Sequence, residues 1–234
     1  MKFLKNLKIF IVCLALFSWM FLPLIKVRAA TTSSKHHVGY FYYGYNTGNT
    51  LPQGLRAEIY LVTNDIPFWT GDWYAEWISV ITRYTPTYWV QKGYHRHYNI
   101  WGFLVSVYYA EEYDEGGHTL EYLGAAIYLW NDFRLVKGSH NRWEAIIYYF
   151  SNNQWHFHKS YTLYISPNDA IDYQAMVETT TTSINIDGSH FRKLRYLYGG
   201  TTWSYWSRHE ADPYTDPYYI DEIKHYEFKA YGGG

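Results

Sequence analysis

The 234-residue chain has one cysteine, Cys13, so no intramolecular disulfide can form and no thiol nucleophile exists beyond residue 13. It has no Gly-rich phosphate loop, no G-x-S-x-G elbow and no H-E-x-x-H helix, which removes the commonest nucleotide, serine-hydrolase and zinc-protease signatures. Helical periodicity is also missing after the first thirty residues: apolar positions recur every second residue, not every 3.6. Basic residues are scarce there too. Residues 1–30 carry five of the twenty lysines and arginines and none of the twenty-one acids, which leaves fifteen bases against twenty-one acids, a formal charge of −6. No nucleic-acid partner is expected of so acidic a domain, because phosphate binding needs a basic patch.

The first thirty residues read as a secretory signal peptide. Lys2, Lys5 and Lys8 precede an apolar run from Ile9 to Ile25, and Val27-Arg28-Ala29-Ala30 ends it with small residues. The competing reading is an uncleaved anchor, since the run approaches the ~20 residues that span a bilayer. Cleavage after Ala29 or Ala30 is the expectation, giving a secreted protein that leaves the membrane and holds residues 31–234 as one domain. Its stability then rests on packing alone.

Aromatic residues are abundant: 28 Tyr, 11 Trp and 12 Phe. Such rings favour pleated, half-buried surfaces, and Tyr and Trp also suit wet binding faces. Ala57, Ile59 and Leu61 alternate with Glu58, Tyr60 and Val62, and Trp143, Ala145, Ile147 and Tyr149 alternate with Arg142, Glu144, Ile146 and Tyr148. In the run after 154, Trp155, Phe157, Tyr161 and Leu163 fall on one side, with His156 and His158 on the other. The spacing predicts strands at 38–45, 55–64, 74–82, 87–95, 103–113, 120–130, 142–150, 154–164, 173–183, 193–198, 202–206 and 222–231. Turn chemistry separates them at Asn46-Thr47-Gly48, Glu115-Gly116-Gly117, Lys137-Gly138-Ser139, Ser151-Asn152-Asn153 and Gly199-Gly200. Pro167-Asn168 allows one helical turn, and 31–37 and Gly232-Gly233-Gly234 read as disordered tails. The expected fold is all-β, an antiparallel sandwich of jelly-roll type with essentially no helix.

His95-Arg96-His97 and His156-Phe157-His158 each put two imidazoles on one strand face, but no third ligand can be identified, so neither a metal nor a cofactor is expected. The acids Glu111, Glu112, Asp114 and Glu115, and those around the Asp212–Pro217 loop, read as solvated turns.

The most informative stretch is Tyr88-Trp89-Val90-Gln91-Lys92-Gly93-Tyr94, which follows Trp77-Ile78-Ser79-Val80 and precedes Val107-Tyr108-Tyr109-Ala110-Glu111-Glu112-Tyr113. Much later comes Tyr173-Gln174-Ala175-Met176-Val177-Glu178. This order resembles the glutamic peptidases called eqolisins, which are concanavalin-A-like β-sandwiches. The resemblance implies a Gln91/Glu178 dyad that hydrolyses peptide bonds at acid pH, with Trp89, Tyr109, Glu111 and Gln174 lining the substrate face. A carboxylate would take a proton from water and return it to the leaving amine, while the amide would steady the oxyanion. One departure stands out. The family's late strand carries two acids four residues apart, and Gln174 occupies the place of the earlier one. The alternative is therefore a non-catalytic module of the same architecture that binds a carbohydrate or a polypeptide; self-association through tyrosine-rich faces is a third reading. Oligomeric state is not legible.

N-terminal sequencing of exported protein should find Ala30 or Thr31 first. An intact Met1 on membrane-bound material would show an anchor instead.

Overall fold

The computed structural model describes residues 35–43, 52–67, 71–166, 169–211 and 216–234. The expected leader, the Asn46-Thr47-Gly48 turn and the Pro167-Asn168 turn lie outside them. Fifteen strands form two antiparallel sheets, and no helix occurs among the described residues. The first sheet contains β1 (His36–Tyr43), β3 (Trp73–Tyr84), β4 (Thr87–Tyr98), β5 (Leu104–Asp114), β6 (Gly117–Ala125), β10 (Asp172–Thr179) and β13 (Glu210–Ala211), in the order β13-β1-β10-β3-β4-β5-β6. The second contains β2 (Gly54–Tyr60), β7 (Trp130–Lys137), β8 (Arg142–Ser151), β9 (Gln154–Tyr164), β11 (Ser189–Tyr198), β14 (Tyr219–Lys224) and β15 (Glu227–Tyr231), in the order β14-β15-β11-β2-β7-β8-β9, with β12 (Thr202–Tyr205) paired to β11.

Alternation puts one face of each sheet into the shared core. Val38, Tyr40, Tyr74, Ile78, Val80, Val90, Tyr94, Tyr108, Tyr173 and Val177 come from the first sheet, and Leu55, Ala57, Ile59, Phe133, Leu135, Trp143, Ala145, Ile147, Leu163 and Phe191 from the second. At the Ser151-Asn152-Asn153 hairpin both asparagines have positive φ, 49° and 61°, as a tight two-residue β-turn requires.

The sequence pattern misplaced four features. No strand was expected over 131–137, yet β7 fills it: Trp130, Asp132 and Arg134 alternate with Asn131, Phe133 and Leu135, and polar Asn131 hid the pattern. Asn131 nevertheless faces the core, where its Oδ1 accepts from the Tyr108 hydroxyl at 2.5 Å. The expected strand 222–231 is a hairpin that turns at His225-Tyr226. The 31–37 tail is structured from residue 35, and its His36 and His37 pair in β1 with Thr179 and Glu178. The C-terminal glycines are also pinned: the Gly232 N–H donates to Asp187 Oδ1 at 2.8 Å, and the Gly234 N–H to the Thr182 carbonyl at 3.2 Å.

A fifth difference concerns β9. Its pairing shifts between Ile147/Lys159 and Tyr148/Phe157, leaving His158 as an extra residue, a β-bulge. The bulge separates Phe157 from the face of Tyr161 and Leu163, and Phe157 is exposed. Equivalent one-residue shifts leave Leu123 extra on β6 and Ile223 extra on β14. These three bulges sit on strands at the end of a sheet, and two further ones are internal, at Thr82 on β3 and at Lys193-Leu194 on β11.

Among the described residues, the carboxyls of Glu76 and Asp172 and the amine of Lys92 are buried without an ion pair. Glu76 faces the core beside Tyr74, whose hydroxyl donates to it, and burial pushes its carboxyl up to about 8. Burial raises Asp172 to about 7. Lys92 is fully buried with no hydrogen-bond partner for Nζ, and burial holds its ammonium well below the usual lysine range. Between about pH 4.5 and 8 folded Glu76 keeps a proton that the unfolded chain has released, so its contribution is full below that window and is lost as pH rises through it. In paired thermal melts Glu76→Gln should therefore gain stability relative to the parent as pH rises from 4.5 to 8, by on the order of a few kcal/mol; the pairing cancels the opposite slope from buried histidines such as His95, which is held at about 3. Lys92→Met should gain ~1–3 kcal/mol at neutral pH by removing an unpaired amine. That gain should shrink towards pH 10, where the unfolded lysine also loses its proton.

Candidate active-site face

The outer face of the seven-stranded sheet carries Trp89, Gln91, Tyr109, Glu111, Gln174 and Glu178, the residues that the resemblance assigned to the site. Strand β3 lies between β10 and β4, so cross-strand register sorts this face into rows. One row runs Gln174–Ser79–Gln91–Glu111–Leu120 across β10, β3, β4, β5 and β6. The next runs Gly39–Met176–Trp77–Gly93–Tyr109–Tyr122, starting from β1. A third runs His37–Glu178–Ala75–His95–Val107. Trp89 belongs to a fourth, Asp172–Ile81–Trp89–Tyr113–His118.

The second row is the floor. Ala75, Trp77, Tyr109 and Met176 form a buried cluster separate from the main core, flanked by the half-buried Phe41, Trp73, Leu120 and Tyr122. Glycine is required where Trp77 crosses β4. A Cβ on Gly93 would stand 2.3 Å from the Glu76 carbonyl oxygen and 2.7 Å from Trp77 Cβ, and one on Gly39 would stand 2.1 Å from the Ala175 carbonyl oxygen. The Gln-x-Gly spacing thus has a packing cause: the glycine lets the Glu76–Trp77 backbone of β3 approach the strand that carries Gln91 closely.

Polar groups are tethered to this floor. The Trp77 indole N–H donates to Glu178 Oε2 at 3.2 Å, and Lys35 Nζ lies 3.0 Å from Glu178 Oε1 and 5.3 Å from the Trp73 ring centre. Gln91 Nε2 donates to the Tyr109 hydroxyl at 2.5 Å. Gln91 and Glu178 are each only 8 % exposed. Glu111 directly faces Gln91 across β4–β5 and bonds the His118 ring, whose pKa rises chiefly through that bond. His95 and His97 stack at 4.6 Å, and burial, then its neighbours His97 and Lys35, hold His95 at about 3, so it is neutral. Trp89 stacks on Tyr113 at 6.2 Å.

Register brings Gln91 and Gln174 onto one row, two strands apart, roughly 9.5 Å between Cα atoms. Glu178 stands four residues farther along β10, about 13 Å from Gln174 along the strand. The amide row therefore contains a hydroxyl, two amides and Glu111, and Glu178 lies two rows away beside Ala75.

Sequence reasoning missed three members of this face. Asp172 is in period-two register with Gln174 and Glu178, a visible signal, and a hydrogen bond from Gln174 works against the rise that burial imposes on it. Trp77 was noticed but given no part. Lys35 lay in the supposed tail. The second pair, His156 and His158, is elsewhere: His156 stacks on Tyr149 and His158 packs by Tyr108.

A seven-over-eight antiparallel sandwich with this strand arrangement is the glutamic-peptidase fold of the eqolisins. Among solved structures, the chain is similar to scytalido-glutamic peptidase with a peptide-based transition-state analogue (TM-score 0.61, 8 % identity) and to the same enzyme with a transition-state analogue inhibitor (0.59, 10 %). It is also similar to SCP-B, a member of the eqolisin family in complex with the tripeptide Ala-Ile-His (0.57, 8 %). Each match covers 86 % of this chain and 100 % of the other. No protein-family model and no curated protein matches the sequence.

Gly93→Ala should cost ~1–3 kcal/mol in a denaturant melt, because the added methyl overpacks the Trp77 contact. Gly71→Ala is the control, since a Cβ there meets nothing within 4 Å, although its φ of 75° carries its own smaller strain.

Proposed function

We propose that the outer face of the seven-stranded sheet binds an extended polypeptide and holds it without cutting it. The observation that carries this reading is the Gln174–Ser79–Gln91 row. A dyad of the glutamic-peptidase kind needs a carboxylate to take the proton of the attacking water. On this row the position opposite Ser79 from Gln91 is an amide, which has no such basicity. Amides are instead suited to the alternating N–H and C=O groups of a peptide backbone. The aromatic floor and the flanking Trp73, Trp89 and Tyr122 supply apolar contact for side chains, and Glu178 and Glu111 are already engaged by Lys35 and Trp77, and by His118. Export through the N-terminal segment would present this face outside the cell.

Hydrolysis at acid pH is the second reading, supported by Glu111 directly facing Gln91 and by the shielded Glu178. In that case Gln91 is the oxyanion donor and one of the two acids the base.

One assay separates the readings. Casein, an unfolded substrate, is incubated with the protein across roughly pH 2–7, the range in which carboxyls titrate, and both binding and cleavage are followed. Binding without cleavage is expected, and Gln91→Ala combined with Gln174→Ala should weaken it about tenfold, in line with two lost hydrogen bonds. No binding to casein, with binding to a soluble glycan in its place, would shift the ligand class to carbohydrate. Cleavage would establish the second reading; Glu178→Gln and Glu111→Gln then identify the base, whose loss costs ~10²–10⁴-fold.

A further inference from the structure

His209, Glu222 and His225 lie away from the face just described, where edges of the two sheets come together. His209 directly precedes β13, the terminal strand of one sheet, Glu222 lies on β14, the terminal strand of the other, and His225 begins the β14–β15 turn. One ligand atom from each lies within 4.8 Å of the other two.

We propose that these three side chains bind a zinc ion that ties the two sheet edges together. The separations favour an ion over direct hydrogen bonds. His209 Nε2 is 3.4 Å from Glu222 Oε2, and His225 Nδ1 is 3.5 Å from Glu222 Oε1, both well beyond the usual N–H···O length near 2.9 Å. Ligands at zinc's ~2.0–2.1 Å on a tetrahedron stand about 3.3–3.4 Å apart; each histidine stands at that separation from one Glu222 oxygen, His209 from Oε2 and His225 from Oε1, and turning the carboxylate would bring one oxygen to both. Two imidazoles and one carboxylate suit zinc better than calcium, which takes six to eight oxygens. The fourth position falls to water.

Part of the site is pre-organised. The His209 ring stacks on Tyr40 at 3.8 Å and 16°, and its side chain is only 9 % exposed. Glu222 and His225 are exposed, so their side chains can turn to close on an ion. His209 Nδ1 has no hydrogen-bond partner, and an unsupported second nitrogen costs about 10–100-fold in affinity. Binding is therefore weaker than at a fully buttressed zinc site. In a chain with no cysteine after residue 13, such an ion supplies a cross-link between sheets that no disulfide can.

The test uses untagged protein stripped with chelator and then titrated with zinc by calorimetry, with cobalt(II) absorption reporting geometry. One equivalent should bind, cobalt should give tetrahedral d–d bands, and zinc at roughly a hundredfold excess over Kd should raise Tm by about 5 °C. His225→Ala and Glu222→Gln should each weaken binding at least about tenfold and so cut the Tm shift at the same zinc concentration to about half or less. Both residues are exposed, so their far-UV spectra should match the parent; His209→Ala is the third variant and is interpreted with Tyr40 packing in mind. Absence of stoichiometric binding overturns the proposal. So does zinc binding that survives both variants, or that is lost instead with His97→Gln or His37→Gln.

Discussion

Everything on the candidate face depends on one strand pairing twice. β3 is bonded to β4, a few residues downstream, and to β10, about a hundred residues downstream. That double register places Trp77 between Met176 and Gly93, and lets its indole reach Glu178. Moving either pairing by one residue would turn Gln91 or Glu178 into the core. Gly93 guards against this locally, since only a residue without Cβ fits beside Trp77. Floor packing, amide row and tethered carboxylate are thus consequences of a single alignment.

The same logic explains how much could be read from sequence. Alternation alone recovers β8, whose core positions are Trp143, Ala145 and Ile147, because their neighbours Arg142 and Glu144 are plainly polar. It fails at β7, where a core-facing Asn131 and an outward Trp130 invert the usual signs; a tyrosine hydroxyl two strands' worth of chain away makes the asparagine acceptable. It fails at β9, where one extra residue changes the face of Phe157. The fold class was legible because many short segments agreed, and the local errors are those in which a distant partner or a bulge overrides local pattern.

The site was legible in its membership more than in its geometry. Gln91, Trp89, Tyr109, Glu111, Gln174 and Glu178 all fall on one face, as period-two spacing implies once their strands share a sheet. Which of them are neighbours depends on the stagger between β10 and β3, and stagger leaves no mark in a single sequence. The spacing of the amides and Glu178 on different rows therefore became visible only with the register.

Buried charge tells a related story on the opposite sheet. Glu58 and Asp132 stand side by side across β2–β7 and are covered by Arg56, Arg134, Arg192 and Lys193. Arg192 and Arg134 in turn lie over the Trp130 and Tyr148 rings at 3.7 and 4.2 Å. The alkyl stems of these bases act as part of the outer apolar layer while their charges satisfy the acids.

The bulges on β6, β9 and β14 have a bearing on solubility. An extended strand at the end of a sheet exposes a ladder of free amides and carbonyls, an open template for a copy of itself. Here an extra residue interrupts β6, β9 and β14, and the other two edge strands, β13 and β12, are only two and four residues long. A chain more than one-fifth aromatic is hazardous if its edges can zip together. With the edges interrupted, that aromatic richness can be carried on the faces of the sheets.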